Sequence, residues 1–552
     1  MNRSIIVCIV VAALLSFSGA SSAQKKAPVF PTGTFCDDVN AGLCTELAHN
    51  KTYEGKYTGH DEPSLLFYSR TPGSGNSSVY LVQIPKDPPT QPTQDGTNGV
   101  TWNFELRPAF WFGMALCDSQ SDPNFTNVCK ADTDENIFDN PKAAAPDFIG
   151  KHPGAAFLEL QFYPPGWSGV DCYPTTWCAA MTIDSFGFQE ATGLNNNNDC
   201  LNTVGEETLN FAFVTFSGKS QAAADPLSRA NDPNFTGEIP DPKQTMSFNP
   251  GDIVQIFIHD TPAGLRADII DLSTGKSGSM TASVANGFGQ VNFDPSPTAT
   301  CSVTPYAFHP MYATSSEHTR VPWAAHSYNT AFSDEIGHFE WCDAIGDGEG
   351  GPCTLAGIND PGGVDADDFP CFDNAGFPNL PTVIGCEGED LDFDGVPYTA
   401  AAWPGGTYDP SGDRRLRPQP VRFTSPVFLE AGGKLRNYER VAFEADMPAI
   451  EVESNPDCNI LTGTGCTNPP NGAQFYPIYS TSEILPSVCA WQVGGAHIFG
   501  TTDNFGGTST VEYGEILSLT FIDLTSSIQL FPDYRQILPK NPCSSPLGFS
   551  AD

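Results

Sequence analysis

Short runs in which apolar side chains alternate with polar ones, or stand together for about 4–8 residues, recur through most of this chain and predict β-strands. They begin at Ser64-Leu65-Leu66-Phe67-Tyr68 and continue through Val79 to Ile84, Val100 to Leu106, Ala109 to Leu116, Ala156 to Phe162, Trp177 to Ile183 and Leu209 to Phe216. The alternation is plainest in Asp252 to His259. Val254, Ile256 and Ile258 fall on one side and Ile253, Gln255, Phe257 and His259 on the other, as expected of a half-buried antiparallel strand. Ala267 to Leu272 follows, and Asp271-Leu272-Ser273-Thr274-Gly275 has the composition of a hairpin turn. No long apolar stripe appears at helical spacing. The fold expected is therefore mostly β, a jelly-roll-like antiparallel β-sandwich.

The same pattern divides the chain. Residues 24–300 read as an N-terminal sandwich lobe, and residues 301–413 as a long, disulfide-stapled loop region rich in acids and aromatics. Strand signals resume at Val441 to Ala445 and Leu517 to Phe521, so residues 414–552 form a second β lobe or complete the first, and two lobes are expected. The 52 glycines and 48 prolines suit many short strands joined by turns.

Composition then narrows the setting. Residues 1–23 have a charged head at Arg3, an apolar run from Ile5 to Leu15 and small residues ending at Ala23, the pattern of a secretory signal cleaved after Ala23. No other run approaches the length of about 20 apolar residues that spans a bilayer. Of 17 cysteines, one (Cys8) falls in the signal, and an even set remains for disulfides, with Cys36/Cys44, Cys117/Cys129, Cys172/Cys178 and Cys458/Cys466 expected to close short loops. Asn50, Asn76, Asn124 and Asn234 stand in glycosylation sequons. A net charge of −39 opposes nucleic acid and anionic membrane as partners and favours cations or a neutral polymer such as an extracellular glycan.

Charge is most uneven in residues 321–413, where 18 Asp or Glu occur without one Lys or Arg. Within that stretch Asp390-x-Asp392-x-Asp394-Gly395 matches the first half of a calcium loop, whose alternating carboxylates converge on one ion while Gly permits the turn. The bidentate Glu of the full pattern is replaced by Ala401, so Asp365 and Asp367 are expected to help complete the shell. Like charges this dense repel, and a cation relieves them.

A second group joins His309, His326, Glu335, His338 and Glu340, with His259-Asp260 as an expected neighbour. An extended backbone puts His338 and Glu340 on one face, whereas a helical turn brings Glu335 to His338. Either suits an acid/base set of Glu335, His338 and Glu340, or a zinc or copper site with His309 and His326 as ligands. Paired carboxylates are also the equipment of glycoside hydrolysis. Trp323, Trp403 and His259 are the expected sugar contacts.

The segments Phe157 to Trp167, Ile258 to Leu265 and Asp334 to Glu340 resemble a family of secreted, cysteine-rich microbial proteins, a resemblance that implies no activity. Two β lobes with histidines between them are also similar in layout to peptidylglycine-type copper monooxygenases and peptide N-glycosidases, although the paired-His and His-x-His copper motifs are missing here. The leading expectation is a secreted, calcium-bound β-sandwich that binds or hydrolyses extracellular carbohydrate, as a glycoside hydrolase or lyase if it is an enzyme. The alternatives are a transition-metal enzyme built on the His/Glu cluster and a non-catalytic surface or matrix protein.

Overall fold

A computed structural model of the 552-residue chain describes residues 64–68, 76–86, 110–117, 156–163, 173, 175–186, 188–189, 194–205, 207–231, 237, 239–310, 326–327, 338–339, 342–345, 353–356, 396–397, 421–430, 432–438, 440–446, 478–485, 488–493, 516–522, 528–538, 541 and 543. These residues are mostly β, in antiparallel sheets that form a sandwich.

The first strands are β1 (Ser64–Tyr68), β2 (Ser77–Gln83), β3 (Phe110–Cys117), β4 (Ala156–Tyr163), β5 (Trp177–Phe186), β6 (Phe188–Gln189) and β7 (Leu194–Asn195). A short helix, α1 (Asn198–Val204), leads to β8 (Glu207–Phe213), and a second, α2 (Pro226–Asn231), to β9 (Ser247–Phe248). Then come β10 (Ile253–His259), β11 (Arg266–Asp271), β12 (Ser277–Thr281), β13 (Gly289–Val291) and β14 (Val303–Pro305). Through the acidic stretch run β15 (His326–Ser327), β16 (His338–Phe339), β17 (Cys342–Ile345), β18 (Cys353–Ala356) and β19 (Val396–Pro397). The last are β20 (Val421–Phe423), β21 (Val427–Glu430), β22 (Lys434–Asn437), β23 (Arg440–Asp446), β24 (Ile478–Leu485), β25 (Val488–Val493), β26 (Ile516–Ile522) and β27 (Ile528–Leu538).

Three sheets carry the core. One has the order β15-β1-β23-β27-β26, and a second the order β3-β4-β5-β8, with β9 added on β5. Strand β15 also lies against β3, which makes these two sheets neighbours. The third runs β12-β11-β10-β2-β20-β25-β24. Its inner side chains, including Tyr80, Val82, Val254, Ile256, Ile258, Phe423 and Trp491, join Phe67 of the first sheet and Phe110, Phe112, Leu160 and Phe162 of the second in one buried cluster. Aromatic rings knit the layers together, with Tyr80 and Phe112 at 4.6 Å, Phe112 and Phe423 at 5.5 Å and Phe67 and Trp491 at 6.3 Å between centroids. Aromatics dominate such a core because each buries about 150–250 Å².

Strands from opposite sides of the acidic stretch share these sheets. Strand β1 pairs with β23, and β2 pairs with β10 on one edge and β20 on the other. Strands β20, β25 and β24 thus complete a sheet that contains β2. Between β20 and β21 the chain keeps contact with β2 through a side chain, since the Leu81 amide donates to Thr424 Oγ1 at 2.9 Å while the Thr424 amide donates to the Leu81 carbonyl. Trp491 Nε1 fixes the same corner by donating to Ser425 Oγ at 2.7 Å.

The outer face of the third sheet departs from the half-buried expectation. The alternation of β10 holds, but Gln255 and Phe257 on the far side are 1% and 4% exposed. Val79, Leu81, Phe257, Val427 and Ala490 pack together there with Ile253, Leu272, Leu429 and Leu435 at their margin. Side-chain parity predicted which residues share a face, not whether that face meets water.

Disulfides link Cys200 on α1 to Cys301 and Cys489 on β25 to Cys543, and Cys178 is also disulfide-bonded. Helix α1 starts at Asn197, whose side chain accepts from the Cys200 amide and so caps a free N–H beside the bridge. Of the expected short-loop pairs, Cys36/Cys44 and Cys458/Cys466 lie outside the described residues, as do Cys129 and Cys172. The signal-like residues 1–23 and Asn50, Asn124 and Asn234 lie outside them too. Among the described residues no helix is long and apolar enough to cross a membrane.

Candidate functional site

The end of β10 separates two polar groups. Its inner residues enter the core, so His259 faces outward; the Asp260 amide donates to the Asn76 carbonyl, extending the ladder by one residue and turning the Asp260 side chain inward. Adjacent residues therefore serve opposite faces of one sheet.

On the outer face a polar row crosses β10, β11 and β12. Register sets His259 opposite Arg266, Phe257 opposite Asp268, and Asp268 opposite Ser279. His259 Nε2 and Asp268 Oδ2 are hydrogen-bonded at 2.9 Å. Arg266 Nε donates to both oxygens of Asp268 and its Nη2 to Asp268 Oδ1 at 2.7 Å and to Ser279 Oγ at 3.0 Å. The His259 ring stacks on Phe257 with centroids 4.2 Å apart and planes 11° from parallel. Three planar groups are thus fixed in orientation, and the side chains of Arg266 and His259 remain 37% and 19% exposed against 8% for Asp268.

A turn presses on the far end of this row. Thr215 bridges to Ser279, and a Cβ on Gly218 (φ +71°) would lie 2.7 Å from Ser279 Oγ, so only glycine fits there. Asn286 ties the turn down, donating to the Gly218 carbonyl at 3.2 Å and accepting from the Ser220 amide at 3.2 Å. The turn presents Phe216, 43% exposed.

Burial alone would raise the Asp268 carboxyl, but hydrogen bonds from His259 and Arg266 outweigh it and hold the group below the ordinary carboxylate range. Arg266 is raised in turn, chiefly by its hydrogen bond to Asp268. A depressed carboxyl stabilises the fold above its unfolded pKa of about 3.9, and that stability is lost as pH falls through the folded value. Asp268→Asn should therefore cost about 1.5–3 kcal/mol at pH 7, the usual worth of hydrogen bonds to a charged group, and clearly less at pH 2–3. Urea unfolding at both values checks this; an equal loss at each would refute the charge-based account.

On the inner side His309 Nδ1 and Asp260 Oδ1 are 2.7 Å apart, with the Asp260 side chain fully buried. Burial pushes the Asp260 carboxyl up, opposed by His309 and by the Thr261 amide. The pair anchors residues 306–310 to the turn after β10, where Leu265 donates to the Phe308 carbonyl at 2.7 Å. Gly264 (φ +131°) permits that approach, since a Cβ there would meet the Ala282 carbonyl oxygen at 2.3 Å.

The other expected site residues fare differently. Of the histidines grouped above, His309 lies just past β14, His326 pairs with Leu66 on β1, and His338 pairs with Pro397 on β19. At His338 the backbone is extended, which is the first of the two conformations considered. Its pairing with β19 sets it beside the chain just after Gly395, the end of the calcium-like loop. Glu335, Glu340, Trp323, Trp403, Asp365, Asp367, Asp390, Asp392 and Asp394 lie outside the described residues. Among the described residues no group of three or more His, Cys, Asp or Glu is arranged to hold a metal ion.

Sequence reasoning singled out His259 but missed Arg266, Asp268 and Ser279 as its surroundings. The signal was available in Arg266-Ala267-Asp268, where two charges flank an apolar residue at strand spacing and so share an outward face. Comparison with protein-family models, with curated proteins and with solved structures finds no match.

Proposed function

We propose that this is an exported protein that binds extracellular carbohydrate on the outer face of its third sheet, through His259, Arg266 and Ser279 beside Phe216. The observation that carries the reading is the immobilised row of His259, Asp268 and Arg266, with the turn that bears the exposed Phe216 against its Ser279 end. Sugar hydroxyls both donate and accept, so a site for them needs fixed groups of both kinds and a flat apolar face. Holding those groups rigid in the free protein lowers the ordering cost of binding. Export is supported by the disulfides, which persist in oxidising compartments. Glycan-array screening followed by calorimetry tests it. Arg266→Ala and Phe216→Ala should each weaken the best ligand by at least about tenfold, roughly 1.4 kcal/mol, while Lys276→Ala, on the distant hairpin turn, should not. An array blank for plant, fungal and bacterial polymers would overturn the proposal.

A second reading is favoured by one pairing. Strand β16 lies on β19, so the backbone of His338 adjoins the end of the Asp390 to Gly395 loop. In this reading calcium at Asp390, Asp392 and Asp394, with Asp365 and Asp367, supports chemistry by Glu335, His338 and Glu340, or zinc or copper takes the histidines. Elemental mass spectrometry of protein dialysed without chelator, together with reducing-sugar release by Glu335→Gln and the parent protein, decides it. Metal-free protein with no sugar release would remove this reading and leave binding alone.

A further inference from the structure

The described arginines on the third sheet and its β21–β22 hairpin differ in one respect. Arg266 is paired with Asp268 and Arg436 with Glu430. Arg422 on β20 is not: among the described residues no carboxylate lies within ion-pair distance of it. Val421 and Phe423 beside it are fully buried in the core, so parity turns Arg422 to the outer face. Register sets it between Gln83 on β2 and Gln492 on β25. Its Nε donates to Gln492 Oε1 at 2.9 Å and its Nη1 to Gln83 Oε1 at 3.4 Å. Both partners are neutral amides, which aim the guanidinium without neutralising it, and among the described residues Nη2 makes no hydrogen bond.

That arrangement is costly. Burial pulls the guanidinium below its ordinary pKa, because a partly buried charge without an opposite charge is poorly stabilised. The chain has 65 acidic residues against 26 basic ones, so the lack of a carboxylate partner among the described residues does not reflect a shortage of carboxylates. The two polar ends of this face are also separate: β10 alone puts roughly 20 Å between the His259 row and the row of Gln83, Arg422 and Gln492, with Val79, Leu81, Phe257 and Ala490 between them.

We propose that Arg422, held between Gln83 and Gln492, is a binding site for an oxyanion, a carboxylate or sulfate group that takes the free side of the guanidinium. The fork of two Nη groups matches two oxygens of such an anion, and the flanking glutamines keep it from collapsing onto a neighbour. The group belongs either to a free inorganic ion or to an acidic polymer, and the chemistry is the same for both. This site is independent of the His259 row and of its proposed ligand.

The test uses sodium sulfate, oligogalacturonate and neutral oligogalactan at fixed ionic strength. On the unaltered full-length protein, phenylglyoxal modification of Arg422 is followed by peptide mass spectrometry. Sulfate or oligogalacturonate should slow it at least fivefold and oligogalactan should not; calorimetry should then show binding that drops at least tenfold in Arg422→Gln and less in Arg422→Lys. Protection by sulfate alone supports the site with a free ion as its source, and stronger protection by oligogalacturonate supports it with an acidic polymer. Modification at an unchanged rate with both anions overturns the proposal, whether or not either variant folds. Loss of His259-row binding in Arg266→Ala leaves this result untouched, so the two sites fail separately.

Discussion

Replacing His309 by alanine is expected to destabilise the protein by about 3–5 kcal/mol at neutral pH, the range for removing one partner of a buried ion pair. The imidazole is the side-chain partner at 2.7 Å from a carboxylate that has no exposed surface, and among the described residues Asp260 Oδ2 has no hydrogen-bond partner. Without His309, Asp260 keeps the Thr261 amide on Oδ1 but loses the group that opposes its burial, so it must either ionise unpaired or take up a proton. The pH dependence follows from direction. Burial raises the Asp260 carboxyl, so folding takes up a proton; the penalty is absent below the unfolded pKa of about 3.9 and grows as pH rises through the folded value. The deficit of His309→Ala should accordingly be largest at pH 7 and shrink toward pH 3–4. Asp260→Asn, which removes the charge and keeps the shape, should cost less at pH 7 than His309→Ala. Chemical unfolding of both variants across pH 3–7 measures this, and a deficit for His309→Ala that stays constant with pH would show that packing, not charge, was lost.

Removing the Cys200–Cys301 bridge is expected to cost about 2–5 kcal/mol. It spans 101 residues, a loop that contains β8 and the β10, β11 and β12 edge of the third sheet, and with them the whole His259 row. In the chain-entropy account a long closed loop limits the unfolded chain most, and the Cys489–Cys543 bridge, spanning 54 residues, should matter less by only about half a kcal/mol. Paired Cys→Ser substitutions at each bridge, compared by denaturant midpoint and slope, test the size and the order. A loss under 1 kcal/mol for Cys200/Cys301 would mean that Cys200, Val291 and Cys301 pack equally well without the bond, since they already form a small buried cluster.

What could be read from the chain was local. The alternation of Val254, Ile256 and Ile258, and the turn at Asp271 to Gly275, where the Gly275 amide donates to the Asp271 carbonyl, both follow from neighbours within a few residues. Strands β20, β21 and β22 were missed because prolines at 418, 420 and 426 and glycines at 432 and 433 break the run into pieces of three or four residues. Strands β20 and β21 become strands by pairing with β2, far away in sequence, and β22 by pairing back on β21; no window of local propensity contains β2. The site divides in the same way. His259 stood out as a histidine beside an acid, yet its own partner is Asp268, while Asp260 belongs to His309 on the other face. Adjacency in sequence suggested one cluster; strand parity makes two.

The pairing of β2 with β20 also sets a clock on biosynthesis. Leu81 must wait for Thr424, 343 residues later, which at 5–20 residues per second is a delay of roughly 20 to 70 s. Over that interval one edge of β2 has no native neighbour, and Tyr80 and Val82 lack the cover that Val421, Phe423 and Trp491 later add. Contacts this distant close slowly once they become available, because the loop entropy is lost before any pairing compensates for it. The growing chain therefore carries a bare strand edge through most of its synthesis, the kind of edge on which other chains can pair.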